Sequence, residues 1–110
     1  MLGNADQIKE RMEQVQAELA KKTVEADAGA GAVRVTVNGK FEVVNLTLDP
    51  SMLAALTDET ADAADNQALL EDLIAAAVNE AMRRAQEMVR QEMMSLAPGL
   101  NLPGLTDPNA

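Results

Sequence analysis

Apolar residues recur along this chain with two different periods, and the change between them divides it into elements. Ala5, Ile8, Met12, Val15 and Leu19 follow a 3-4-3-4 spacing, the a/d seam of a coiled coil or bundle. Glu, Gln, Lys and Arg fill the positions between, and all are good helix formers, so the spacing predicts a helix over 5–22. From Thr23 the period drops to two. TVEADA (23–28) fits a short strand, Gly29-Ala30-Gly31 a turn, and AVRVTV (32–37) a second strand. Asn38-Gly39 is a strong hairpin signal, with KFEVVNLTL (40–48) as the return strand. A two-residue loop there sets Val37 opposite Lys40, Val35 opposite Glu42 and Val33 opposite Val44. One face then carries Val33, Val35, Val37, Val44, Leu46 and Leu48. The other carries Arg34, Thr36, Phe41, Val43, Asn45 and Thr47, and its Phe41–Val43 patch needs a cover.

Asp49-Pro50 ends the strands and starts a short helical turn, with Asp49 as N-cap and Pro50 at the first helical position. TDETADAADN (57–66) reads as an acidic, solvated connector or a frayed helix. A long helix then runs from about Asn66 to Leu96, roughly 45 Å at 1.5 Å per residue. Its stripe is Leu70, Ile74, Ala77, Val78, Ala81, Ala85, Met88 and Val89. The Pro/Gly-rich tail, 99–110, reads as irregular, leaving a single domain over 1–98. Helix, strands and helix in that order belong to the α+β class. A domain of this size has a radius of gyration near 13 Å, so its own sheet cannot cover such a helix. A homodimer is the natural cover, with Phe41, Val43, Ile74, Val78, Ala81 and Ala85 as its expected interface.

Composition narrows the chemistry. The 110 residues contain no Cys, His, Trp or Tyr, and Phe41 is the only aromatic. Disulfides, thiolate metal sites, the commonest general base and the usual stacking platforms are therefore missing. No Ser or Thr lies beside an evident base, and the carboxylates have no obvious cleft, so neither an enzyme nor a small-molecule substrate is expected. DAGAGAV resembles a phosphate loop only superficially, because its glycines lead into a strand rather than a helix. DETADAAD lacks the glycine and final Glu of a calcium loop. No metal or cofactor is expected. Met12, Met82, Met88, Met93 and Met94 fit either an adaptable groove or plain core filler. No apolar run approaches the about 20 residues that span a bilayer. MLGNADQIKE has no signal-peptide pattern, so a cytoplasmic protein without membrane contact is expected.

Charge bears directly on partners. The net charge is −9, and two copies would carry −18. Residues 49–72 hold seven acids and no base, so most of the remaining chain is near neutral. The side-by-side Arg83 and Arg84 admit two readings: phosphate contacts, or a solvated helix face. Glu80 precedes Arg84 by four residues and Glu87 follows Arg83 by four, so both can pair within the helix.

GAGAVRVTVNGK, DPSML, LLEDLIAAAVNEAMRRAQE and GLNLPG, in this order, closely resemble the YbaB/EbfC family of bacterial nucleoid-associated proteins. The resemblance covers nearly the whole chain. It implies a helix, a three-stranded antiparallel sheet including TVEADA, and a long helix, assembled as a tweezer-like homodimer. It also implies double-stranded DNA binding through the projecting helices, a role in nucleoid organisation or gene expression, and no enzymatic activity. Arg83 and Arg84 match the family's block directly. Lys9, Arg11, Lys21 and Lys22 lie in its first helix, and Arg90 in its last, without a motif to align them. This chain departs from the family in its short N-terminus and its long acidic connector. The connector offers an alternative: a dimeric protein-interaction module that engages a protein partner through 57–66 without touching DNA.

Overall fold

Three strands of six residues, flanked by helices, make up the part of the chain that the computed structural model describes, residues 2–57, 60 and 62–96. The order is α1 (Leu2–Lys21), β1 (Thr23–Ala28), β2 (Val33–Asn38), β3 (Val43–Leu48), α2 (Pro50–Leu56) and α3 (Ala63–Leu96). The strands form one antiparallel sheet in the order β1-β2-β3, so the α+β arrangement read from the sequence holds. The tail, 99–110, lies outside the described residues.

The core is the α3 face of β1 and β2. Val33, Val35 and Val37 are fully buried there, with Ala28, Ala26 and Val24 opposite them on β1. Burying a valine side chain contributes roughly 1.5–3 kcal/mol relative to exposure. Ala77, Ala81 and Ala85 recur every four residues along α3 and are completely buried against these strands. Their small side chains let the helix backbone approach the valines closely. The alanine stripe thus seats the sheet of its own chain rather than a second long helix. Ala81 and Ala85, expected at the dimer interface, are thus already buried within their own chain. Ile74 and Val78 are half-buried on the same core, and Phe41 and Val43 are exposed.

The hairpin differs from the two-residue expectation. β2 and β3 are joined by residues 39–42, with Val33 opposite Leu48, Val35 opposite Leu46 and Val37 opposite Val43. Val44 is passed over in a bulge. For Val33 the partner moves by four residues, an even step, so Leu46 and Leu48 keep the face assigned to them. The cause is Asn38. Its Oδ1 accepts from the backbone N–H of Lys40 and of Glu42, both at 3.0 Å, and its Nδ2 donates to Glu42 Oε1 at 2.9 Å. Phe41, not Gly39, takes the left-handed conformation, with φ of 63°.

Gly39 is needed for a different reason. Its N–H donates to Leu19 O at 2.8 Å and to Lys22 O at 3.1 Å, binding the hairpin to the end of α1. A Cβ at Gly39 would lie 2.7 Å from Leu19 O. Gly39→Ala is expected to destabilise the fold by about 1–3 kcal/mol through this overpacking. Thermal melting followed by circular dichroism checks it; an unchanged midpoint would mean that the α1 junction yields freely.

Away from that junction α1 extends from the sheet, leaving Ile8 and Met12 about 60% exposed. The radius of gyration is 20.1 Å, well above the roughly 13 Å of a compact 100-residue domain. At the other end, the Asp49 carboxylate caps α2 by accepting from Ser51 N and Met52 N, as its position before Pro50 predicts. α3 begins three residues earlier than expected, at Ala63. Asp62 O accepts from Asp65 N and Asn66 N, so the second half of the acidic run forms the first turn of α3, where negative charge suits the helix dipole. Asp58, Glu59 and Ala61 lie outside the described residues. Met82 packs on the core while Met12, Met93 and Met94 are exposed, so the methionines form no single seam.

Candidate nucleic-acid interface

In an acidic chain, a surface for an anionic polymer needs cations that their own carboxylates do not occupy. The seven cations singled out in the sequence fall into two groups by that criterion. On α3, every one is held. Arg83 Nε donates to Glu80 Oε2 at 3.0 Å, with a second contact from its Nη2. Arg84 Nε reaches the other oxygen of the same carboxylate at 3.4 Å. Arg84 Nη1 also donates to the backbone carbonyl of Glu25 at 2.6 Å. Arg90 pairs with Glu87 through Nε at 3.0 Å and Nη2 at 2.6 Å, and its Nη1 lies 3.3 Å from Met94 Sδ. Lys22, at the end of α1, forms an ion pair with Glu92 of α3.

The arginine pair is therefore two different residues. Arg84 lies on the flank of α3 and spans to β1, an edge strand, where it satisfies a carbonyl and shields the edge. Arg83 and Arg90 point away from the sheet. Sequence spacing allowed Glu87 to pair with Arg83; instead Glu80 takes both members of the pair and Glu87 takes Arg90. The hydrogen bond and charge of Arg83, with a further contribution from Arg84, hold the Glu80 carboxyl below its ordinary range. The hydrogen bond from Arg90 does the same for Glu87, and Arg90 is raised in turn. Exposed pairs of this kind are weak and screened by salt.

On α1 the picture is reversed. Lys9, Arg11 and Lys21 are exposed, and among the described residues none has a carboxylate within ion-pair distance. Lys9 and Arg11 flank opposite sides of the exposed Ile8–Met12 seam on the helical wheel. Lys40 was not singled out in the sequence. The Gly39–Lys22 hydrogen bond brings the hairpin, and Lys40 with it, to the foot of α1 beside Lys21 and Lys22. Nothing local to position 40 signals this, because the Gly39–Lys22 contact joins residues 17 apart. Lys40 is exposed and likewise unpaired among the described residues.

No group of three or more Asp or Glu is placed to hold a metal ion among the described residues, and none of their helices is long and apolar enough to cross a membrane.

Comparison with known proteins gives the arrangement its context. A nucleoid-associated protein of Acidobacterium capsulatum is 48% identical over 97 residues, covering 88% of this chain and 86% of the relative. A nucleoid-associated protein of Syntrophobacter fumaroxidans is 46% identical over 101 residues, covering 92% of this chain and 84% of the relative. Among solved structures, the uncharacterized protein HP0035 of Helicobacter pylori shares the fold with a TM-score of 0.65 at 20% identity, over 86% of this chain and 89% of that one. The model of one family matches residues 1–100. By that match and the identity of these relatives, the chain belongs to the YbaB/EbfC DNA-binding family.

Proposed function

We propose that this protein binds double-stranded DNA as a homodimer at the nucleoid, mainly through phosphates, and contributes to nucleoid organisation or gene regulation. The observation that carries the DNA surface is the contrast between the two helices: the cations of α3 are occupied, while Lys9, Arg11 and Lys21 on the extended α1 have no ion-pair partner among the described residues. Lys40 extends that surface at the foot of the helix. Phosphate contacts from a helix that offers no base-reading set position a protein without selecting a sequence. The family name and the names of the relatives support DNA and the nucleoid.

The homodimer is supported by β3. All six residues of this edge strand are exposed, and Val43, Val44, Leu46 and Leu48 are apolar. α3 covers β1 and β2 and stops short of it. An apolar, unpaired edge strand invites another chain. Phe41 strengthens the reading. It is 44% exposed yet held at positive φ, a conformation that costs about 1–2 kcal/mol and returns no core burial here. Packing against a second copy would offset that cost. The proposed interface therefore keeps Phe41 and Val43 and gains Leu46 and Leu48.

Fluorescence anisotropy of a labelled duplex, titrated at several salt concentrations, tests the function. The expected result is modest affinity that weakens log-linearly with salt, each phosphate contact contributing about 0.9 to the slope. Absence of binding at low salt would overturn the reading.

A further inference from the structure

Glu80 is the only carboxylate among the described residues that engages two arginines at once. Its two oxygens are divided between them: Oε2 takes Arg83 and Oε1 takes Arg84. The two arginines are not equally committed. Arg84 has a second anchor, the Glu25 carbonyl at 2.6 Å, and stays at the β1 edge whatever Glu80 does. Arg83 has Glu80 alone, points away from the sheet and is 67% exposed. Nε and Nη2 of Arg83 converge on the single oxygen Oε2, a charge-assisted contact of the kind that a phosphate oxygen also accepts.

We propose that Glu80 competes with phosphate for Arg83 and withholds that cation from DNA, so that it sets the affinity for the duplex without touching it. Arg84 serves as the strut that fixes the Glu80 carboxylate over α3, and Arg83 is the cation released when that carboxylate is lost. The inference rests on the DNA-binding reading. It goes beyond it by assigning the arginine pair to opposite roles and by making an acidic residue the one that tunes affinity. Glu80 is a positioning residue in this scheme, acting through Arg83.

The test is duplex anisotropy against salt for the full-length chain and four variants: Glu80→Gln, Arg83→Gln, the double variant, and Asp72→Asn. Asp72→Asn makes the same change in net charge eight residues away along α3, about 12 Å at 1.5 Å per residue, beyond the roughly 8 Å Debye length of physiological salt. Glu80→Gln is expected to steepen the salt slope by about 0.9 for each protomer whose Arg83 reaches the duplex, and to tighten binding by up to about eightfold at 0.1 M salt per recruited phosphate contact. Arg83→Gln alone should leave the slope unchanged, and the double variant should return to the unsubstituted slope. A general loosening of the helix would not produce that pattern. Binding by the unsubstituted protein with no change of slope in Glu80→Gln overturns the proposal and leaves the DNA reading standing. A lower slope in Arg83→Gln alone also overturns it, because Arg83 would then already contact phosphate. An equal gain in Asp72→Asn would show that net charge is responsible, again overturning it. No DNA binding by the unsubstituted protein removes the reading on which the proposal depends, and the proposal with it.

Discussion

Replacing Leu46 and Leu48 with lysine should convert the proposed dimer into a monomer at micromolar concentration, as read by light scattering after size exclusion. Both leucines are about 40% exposed although they lie on the core-facing side of the sheet. β3 reaches beyond the edge of α3, so these side chains share the face of Val33 and Val35 without sharing their cover. Completing the burial of a leucine is worth up to about 1.5–3 kcal/mol. A two-fold axis uses each position twice, so two substitutions remove four leucines from the interface. They also introduce four charges that an apolar contact cannot solvate. Duplex affinity should fall as well, because two linked surfaces bind far more tightly than one. Should the lysine variant fail to fold, Phe41→Ser tests the same surface. That side chain is exposed, and serine tolerates the turn better than a bulky aromatic. A dimer that survived both variants would place the interface away from β3.

Periodicity carried the architecture because it reports the chain's own faces. The change from a seam with 3-4-3-4 spacing to alternation marked the end of α1 and the start of β1, and the Asp49-Pro50 pair marked α2. It reports nothing about which partner occupies a face. Ala77, Ala81 and Ala85 read equally well as a seat for a second helix or for a sheet, and only the position of the buried valines decides between them. The hairpin departs from the expected register for a related reason. Asn38-Gly39 predicts a tight turn on the premise that glycine is there for its freedom at positive φ. Gly39 is instead required by the 2.8 Å approach to Leu19, and Asn38 spends its side chain on Lys40 and Glu42. Non-local contacts of this kind leave no trace in the spacing of neighbouring residues.

The same limit governs the candidate site. The arginine pair was legible as a feature, and its carboxylate neighbours were legible as possible partners. The bond from Arg84 to the Glu25 carbonyl joins residues 59 apart, so the division of the pair into a strut and an exposed cation was not. Nothing in the spacing of the sequence distinguishes Lys9, Arg11 and Lys21, unpaired among the described residues, from cations that a carboxylate holds.

Reversing those three charges gives the largest expected loss of function. Lys9→Glu, Arg11→Glu and Lys21→Glu together should abolish measurable duplex binding at 0.1 M salt. Loss of three phosphate contacts lowers the salt slope by about 2.7 for each protomer that engages the duplex, and affinity by up to about 500-fold at that salt per protomer, before any repulsion from the new carboxylates. The fold should survive, since all three side chains are exposed and surface substitutions of this kind usually stay within about 0.5 kcal/mol. Lys21 sits in the last turn of α1, where reversal adds a helix-dipole penalty of about 0.3–1 kcal/mol. A circular dichroism melt separates that modest effect from unfolding. Charge reversal of Arg84 is the informative contrast. It should lower thermal stability by disturbing the β1 edge while changing the salt slope little, because that arginine is already committed within the fold. If the α1 triple variant bound DNA normally while reversal of Arg83 and Arg90 removed binding, the contact surface would be the outer face of α3, and the carboxylates that now hold its arginines would have to yield to phosphate on every binding event.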